Sequence, residues 1–479
     1  MPNPIDTDIR IPLIVDLDGT LVLTDTLHES FAKLLFANPL RALVSLASIA
    51  QGRAAFKRRI AEESGPDAAW LPYRTALIDL LRSEKARGRK IHLVTAADQK
   101  IADAVAAETG LFDSATGSNG IDNLKEQIKL QHLRERFPNG FIYAGDHAAD
   151  LPIFDAACGV ILCDVSARTA ATARQETPIL AKLRKPPRTL RSWTRLFRIH
   201  QWSKNILIFV PLITGHAFIS PSKMVVGALG CLILCVVSSA TYIVNDLADL
   251  EADRRHLTKR DRPFATGSFP VVFGLVTAPL MIIGGMSAAY ILSPNFAVVL
   301  LGYLVLTTAY SFRLKQIPLL DVFVIGVLFT LRIVMGTELV GLSYSPWLMS
   351  YSMAFFLSLA LAKRHGEVMR AYRSETTKVY GRGYHSDDWP LTLAFGIGVG
   401  LVSIVIMLLY LTNDAAPSGF YPHAAWLYAI PALVTMWLMR IWLLANRTQL
   451  HDDPVVFSLR DPASIFLGVL TAIAFVLAL

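Results

Sequence analysis

Two stretches of this chain space carboxylates as phosphate chemistry requires. In the first, Tyr242 to Gly267 (YIVNDLADLEADRRHLTKRDRPFATG), an apolar run breaks abruptly into charge. Asn245, Asp246, Asp249 and Asp253 recur at steps of three and four, which stack side chains on one helical face. A row of carboxylates cannot stand unpaired beside lipid. A shared divalent cation would compensate it, and hard oxygen ligands suit magnesium. Basic residues follow at once, among them Lys259 and Arg262. Carboxylates, a cation and basic side chains together are what a bound diphosphate needs. A solvated, self-paired loop would explain any one of these charges, but not the ordered set at the end of an apolar run.

In the second stretch, residues 11–15 (IPLIV) have strand length and deliver DLDGT at residues 16–20. Two carboxylates one residue apart on a tight turn bring a nucleophile and a proton carrier to one point. Three later stretches add to it: IHLVTAAD with Thr95, DNLKEQI with Lys125, and FIYAGDHAADLPIF with Asp146 and Asp150. Lys129 competes with Lys125 for the place of the lysine.

These four stretches, in order over about residues 10–165, resemble the motifs of the haloacid dehalogenase (HAD) superfamily of phosphohydrolases. The resemblance implies an α/β, Rossmann-like domain with a small helical cap. Asp16 would be the nucleophile and Asp18 the general acid/base. Thr95 and Lys125 would hold the phosphoryl oxygens. Asp16 and Asp146, supported by Asp150, would bind magnesium.

The elements that must position these residues divide the chain. Hydrophobic residues make up 53% of 479 and charged residues 18%, too apolar for a soluble protein of this length. The excess is uneven. Residues 1–180 read as a soluble α/β domain, with a cap at about 26–82 whose stretch FANPLRALVSLASIAQG is unusually apolar. Residues 181–204 read as a basic amphipathic linker, with Arg188, Arg191, Arg195 and Arg198 on a helix at the headgroup layer and Trp202 as an interface anchor. Residues 205–479 read as an all-α polytopic bundle of about nine spans: 205–220, 223–245, 271–292, 296–313, 317–341, 346–363, 391–412, 424–445 and 462–479.

Lys and Arg crowd alternate connections, so the positive-inside rule places the N-terminal domain and Tyr242–Gly267 in the cytoplasm and the C-terminus outside. The N-terminal sequence has no signal-peptide pattern, and the expected location is the inner, cytoplasmic membrane. The net charge of +8 gathers beside apolar spans, which argues for membrane topology and against nucleic acid. Cys158, Cys163, Cys231 and Cys235 have neither metal nor disulfide spacing and read as reduced.

The bundle with its NDxxDxxxD motif resembles the UbiA superfamily of intramembrane prenyltransferases. Five stretches narrow the resemblance to its phosphoribosyl-transferring branch, typified by decaprenyl-phosphate phosphoribosyltransferase: FRIHQWSKNILIFVPL, DRRHLTKRDRPFATG, AYSFRLKQIPLLDVFVIGVLFTLR, LAKRHGEV and HDDPVVFSLRD. The second aspartate-rich motif of ordinary prenyltransferases is replaced by Asp321 alone, with Lys315 nearby. That branch implies phosphoribosyl pyrophosphate as donor and a polyprenyl phosphate as acceptor. Magnesium on Asn245, Asp249 and Asp253, with Asp246 adjacent, would steady the leaving pyrophosphate, and Lys259 and Arg262 would hold phosphates. Lys204, Lys315, Lys363 and Arg364 are further candidates for phosphate. Arg332, inside a span, should face a polar cavity. His451, Asp452 and Asp453 would join the same mouth.

Together the halves imply transfer of 5-phosphoribose to the lipid, then removal of the 5-phosphate, giving a glycan precursor. Two alternatives stay open: an aromatic prenyltransferase using prenyl diphosphate, and a phosphatase held at the bilayer by a non-catalytic scaffold. Chain length of the lipid and oligomeric state leave no mark in the sequence.

Overall fold

The computed structural model of the chain describes residues 5, 7–185, 187–256, 258–379, 381–450 and 453–479. They form two compact units. The first joins Met1–Phe197 to Tyr242–Ala278, and the second joins Arg198–Thr241 to Pro279–Leu479.

The first unit is built on a six-stranded parallel sheet, ordered β3-β2-β1-β4-β5-β6. The strands are β1 (Leu13–Val15), β2 (Ile91–Asp98), β3 (Ser114–Ser118), β4 (Ile142–Gly145), β5 (Gly159–Cys163) and β6 (Ile179–Leu183). β1, β4 and β5 are buried throughout, as expected of parallel strands covered on both faces. Leu13 is in register with Ile91 on one side and Ile142 on the other, so β1 sits where the strand order reverses. Open α/β sheets bind ligands beyond the carboxyl end of such a strand, and Asp16 is the first residue past it.

Between β1 and β2 lies a helical insert of α1 (Thr26–Ala37), α2 (Pro39–Leu46) and α3 (Arg53–Ser64). Asp25 and Asn38 cap α1 and α2 by accepting from the N–H of His28 and Arg41. Leu34, Ala42 and Ile60 form the insert's own small core. α4 (Thr75–Ala86) is not part of this insert: Leu77, Leu80 and Leu81 pack into the sheet's core, so the insert is shorter than the expected 26–82. α5 (Gln99–Thr109), α6 (Glu126–Arg136), α7 (Leu151–Ala156) and α8 (Ala167–Glu176) follow in turn.

The linker differs from the expected basic helix. Its start belongs to β6, its helix α9 covers only Leu190–Leu196, and Arg198 at φ +47 ends the regular path. Trp202 donates to Ser239 Oγ at 3.0 Å rather than standing free as an anchor.

The second unit is helical. Residues 205–220, read as a first span, fall within a 3-10 stretch (Ile199–Phe209), the five-residue α10 (Val210–Thr214) and a short turn (Ala217–Ile219). Pro211 removes a helical donor, and His216 has φ +54. The chain continues as α11 (Pro221–Ala248), α12 (Leu250–Arg255), α13 (Val271–Leu292), α14 (Pro294–Phe312), α15 (Leu320–Val340), α16 (Pro346–Arg373), α17 (Trp389–Tyr410), α18 (Ala429–Asn446), α19 (Pro454–Ser458) and α20 (Pro462–Ala478); α12 and the adjoining ends of α11 and α13 belong to the first unit. Among the described residues, six helices are long and apolar enough to cross a membrane, against nine expected: Pro221–Ala248, Val271–Leu292, Pro294–Phe312, Leu320–Val340, Ser386–Ala415 and Ala424–Asn446. α20 has 17 residues, and α16 runs past its apolar part into the charged stretch Lys363–Arg373.

Candidate active sites

At the carboxyl end of β1, Asp16, Asp146 and Asp150 bring carboxylate oxygens within 4.8 Å of one another. The turn that allows this depends on Gly19, at φ +74: a Cβ there would lie 2.0 Å from Asp146 Oδ2. Arg74 fixes the same turn from α4's N-cap. Its Nε donates to Thr20 O at 2.9 Å, and Nη2 donates to Gly19 O at 2.6 Å and to Asp164 at 2.7 Å.

Burial, with Asp16 and Asp150 adjacent, pushes the Asp146 carboxyl up to about 7. Three carboxylates this close are a donor set suited to a hard divalent cation, so these residues fit magnesium. Asp18 accepts from Thr26 N–H at 2.8 Å, and burial, then Asp25 and Asp16, hold its carboxyl well above the usual range, as a proton donor requires. Thr95 is buried and accepts from Ala97 N–H at 3.1 Å.

The lysine at Asp16 is Lys129, not Lys125. Lys129 Nζ donates to Asp16 Oδ1 at 2.8 Å and is buried. Lys125 stands at the N-cap of α6 and pairs with Glu126 at 3.4 Å. One helical turn separates the two, and only the later one lies on the face that α6 buries with Leu130 and Leu133. Lys57, from α3, completes the site. It donates to Ala96 O at 2.6 Å and Asn123 Oδ1 at 2.9 Å, and lines a cavity of about 50 Å³ with Asp18, Asp25, Thr26 and Asp98.

The charged stretch after α11 lies in the same unit. Asp249 N–H donates to Asn245 O at 2.9 Å and Asp253 N–H to Asp249 O at 2.8 Å, so helical bonding carries the four-residue spacing across the break between α11 and α12. Arg262 bridges two of the carboxylates, at 3.0 Å from Asp246 and 2.6 Å from Asp253. Burial raises the Asp253 carboxyl, against the pull of Arg262. Asn245, Asp249 and Asp253 offer oxygen donors of the type magnesium takes, but among the described residues three carboxylates with oxygens within 4.8 Å of one another are found at Asp16, Asp146 and Asp150 and not here. Gly267, at φ +70, allows close approach to the turn of the first site: a Cβ there would lie 2.7 Å from Leu23 Cβ. Lys259 is half-buried beside this stretch.

In the second unit most candidate residues are paired with protein groups, and Arg332 and Lys204 lie over the same Phe329 ring, at 5.3 and 5.8 Å. Arg332 is buried among polar groups: its Nε donates to Asn205 Oδ1 at 3.0 Å, Nη2 to Tyr303 Oη at 2.9 Å and Nη1 to Leu328 O at 2.6 Å. Arg364 and Asp321, both fully buried, pair at 2.7 Å, and Tyr384 Oη donates to Asp321 at 2.7 Å. Arg364 also pairs with Glu367. Lys204 pairs with Asp453 at 3.0 Å, and this lysine and Lys363 hold the Asp453 carboxyl below its usual range against its burial. Lys315 O accepts from Arg382 at 3.1 Å. His451 and Asp452 lie outside the described residues.

Residues 206–470 match the UbiA prenyltransferase family. This chain belongs to that family. The UbiA match and the six apolar helices make it a multi-pass membrane protein and a UbiA-family transferase. An uncharacterised protein of Sinorhizobium fredii, y4nM, is 48% identical over 98% of this chain and 92% of its own length. Decaprenyl-phosphate phosphoribosyltransferase of Corynebacterium glutamicum is 33% identical over 39% of this chain and 58% of its own. Among solved structures, a UbiA homolog from Archaeoglobus fulgidus bound to GPP and Mg2+ is 16% identical, with TM-score 0.44, covering 60% of this chain and 99% of its own.

The partners that sequence reasoning missed are long-range ones. Asn205 and Tyr303, which satisfy Arg332 in the UbiA bundle, carry no local signal. Nor does Lys57, whose charge sits on an ordinary-looking basic helix. The one available clue was to Lys129: α6 has to present a lysine from its buried face.

Proposed function

We propose that the UbiA domain transfers 5-phosphoribose from phosphoribosyl pyrophosphate to a polyprenyl phosphate, and that the N-terminal domain, a HAD-type phosphatase, then removes the 5-phosphate. The observation that carries this reading is that one compact unit contains both carboxylate sets, Asp16–Asp146–Asp150 and Asn245–Asp253. Relatives named decaprenyl-phosphate phosphoribosyltransferase support the transfer step. Both sites would face the cytoplasm.

In the transfer, a phosphate oxygen of the lipid forms a bond to the anomeric carbon while the bond to pyrophosphate breaks. Asn245, Asp249 and Asp253 would hold magnesium and Asp246 would orient Arg262, so that positive charge meets the leaving pyrophosphate. Magnesium, when bound, neutralises phosphate charge in both sites. In the hydrolysis, an Asp16 oxygen attacks phosphorus and the ribose 5-oxygen leaves with the proton of Asp18. Water then cleaves the aspartyl-phosphate, giving its proton to Asp18. Lys129 neutralises the phosphoryl oxygens and Thr95 hydrogen-bonds them.

The test is product mass. Purified protein in vesicles with polyprenyl phosphate, magnesium and labelled donor should yield polyprenyl-phosphoryl ribose. Asp16→Asn should stop at the 5-phosphorylated lipid, and Asp249→Ala should form neither. If Asp16→Asn gives the wild-type product, the phosphatase step is wrong. The family's description as prenyltransferases favours one second reading, transfer of a prenyl group to an aromatic acceptor. Label entering product from prenyl diphosphate but not from ribose would establish it.

A further inference from the structure

We infer that the outer face of the helical insert docks on an anionic bilayer. α2 and the 3-10 turn after it are inside out for a helix of a water-soluble domain. The residues they bury are small, Ala42, Ser45 and Ser48, while Leu40 is 75% exposed, Leu43 61%, Val44 55% and Ile49 50%. Such a contiguous apolar face marks an interaction surface.

Three observations select lipid as its occupant. First, the charge beside the face has one sign. No carboxylate occurs from residue 30 to residue 61, and Arg41 and Arg53 flank the apolar face, exposed and without an ion-pair partner among the described residues. Aliphatic residues flanked by arginines suit the boundary between acyl chains and anionic headgroups.

Second, the insert is tied to the ends of membrane helices. Lys33 pairs with Glu251 at 2.7 Å, Glu29 with Arg254 at 2.5 Å, and Asp67 with Arg255 at 2.9 Å, all on α12, which joins the end of α11 to the loop before α13. Third, the reach is short. Leu40 follows Lys33 by seven residues, four of them completing α1 before the chain turns at Asn38 into α2.

Docking deepens the phosphatase reading, since α1 and α3 also line the cavity over Asp18 and would bring that cavity to the lipid surface. The test keeps the two apart. The full chain, with exposed Cys158 replaced by Ser, is labelled at position 43 (Leu43→Cys) with an environment-sensitive dye and reconstituted in phosphatidylcholine vesicles with or without phosphatidylglycerol. With phosphatidylglycerol, a lipid-borne nitroxide should quench the dye about threefold more than aqueous iodide does, and the double variant Arg41→Glu, Arg53→Glu should reverse that order. Iodide quenching as strong as that of the free dye overturns docking. So does protection from both quenchers, which would signal a second copy covering the face. In the activity arm, Leu43→Asp should slow hydrolysis of the 5-phosphorylated lipid about tenfold and leave a soluble phosphate ester unaffected. Loss of both hydrolyses would count against docking as the cause. A chain that docks by quenching yet hydrolyses neither substrate would instead remove the phosphatase reading.

Discussion

At the scale of single residues, the lysine beside Asp16 gives a direct test of the first site. Lys129 is buried and 2.8 Å from Asp16, whereas Lys125 faces Glu126 at the helix start. A preorganised cation at developing phosphoryl charge typically accounts for about 10²- to 10³-fold in rate. Lys129→Met should therefore lower turnover of a soluble phosphate ester by that amount, with Lys125→Met within about twofold of wild type. Arg262 tests the second site. Arg262→Ala leaves Asp246 and Asp253 facing each other in a buried place. Removing one partner of a buried pair costs about 3–5 kcal/mol, and the partial exposure of Arg262 puts the loss at the low end. Thermal unfolding in detergent should show that loss, and magnesium should recover part of it; no magnesium response in either protein would remove the cation site from the proposal. The carboxylates of both sites were legible in the sequence because a strand-turn and a helical repeat fix their spacing locally. Lys129 was legible only as one of two candidates, because α6's starting residue decides which turn faces in.

At the scale of elements, the outcome depended on contacts that sequence neighbours do not report. β1, β2 and β4 could be read from their apolar runs, whereas β3, SATGS, carries none. The first expected span could not survive Pro211 and His216, and the residues there fold as short turns around Asn205 and Arg332. The joint between α1 and α12 links residues 225 apart, through the bidentate pair of Arg254 with Glu29 at 2.8 and 2.5 Å. No periodicity announces such a joint; only the fold brings an acidic residue of one helix to a basic residue of the other. Its consequence can be measured. Glu29→Gln should leave Arg254 buried without its counter-charge and loosen the insert, raising proteolysis within residues 26–64 about tenfold or more. Adding Arg254→Gln to Glu29→Gln should recover part of the loss, and strict additivity of the two would mean the pair does not hold the insert.

At the scale of the whole molecule, the question is what joining the two proposed chemistries in one chain would achieve. The Sinorhizobium fredii relative covers 98% of this chain and so spans both halves. Tethering turns the second encounter into an intramolecular one, with an effective concentration that free diffusion in the membrane does not match. That advantage disappears when the sites sit on different chains. On the proposed scheme, chains carrying Asp16→Asn should retain transfer and chains carrying Asp249→Ala should retain hydrolysis. Mixed in the same vesicles, they should make the final lipid, but only after the 5-phosphorylated intermediate has accumulated. The wild-type chain at equal total activity should show almost none. In separate vesicles the mixture should stop at the intermediate, because a polyprenyl chain does not leave its bilayer in the time of the assay. If the wild-type chain and the mixture in shared vesicles accumulate the intermediate alike, the two sites act independently and the fusion serves only to place a phosphatase at the membrane.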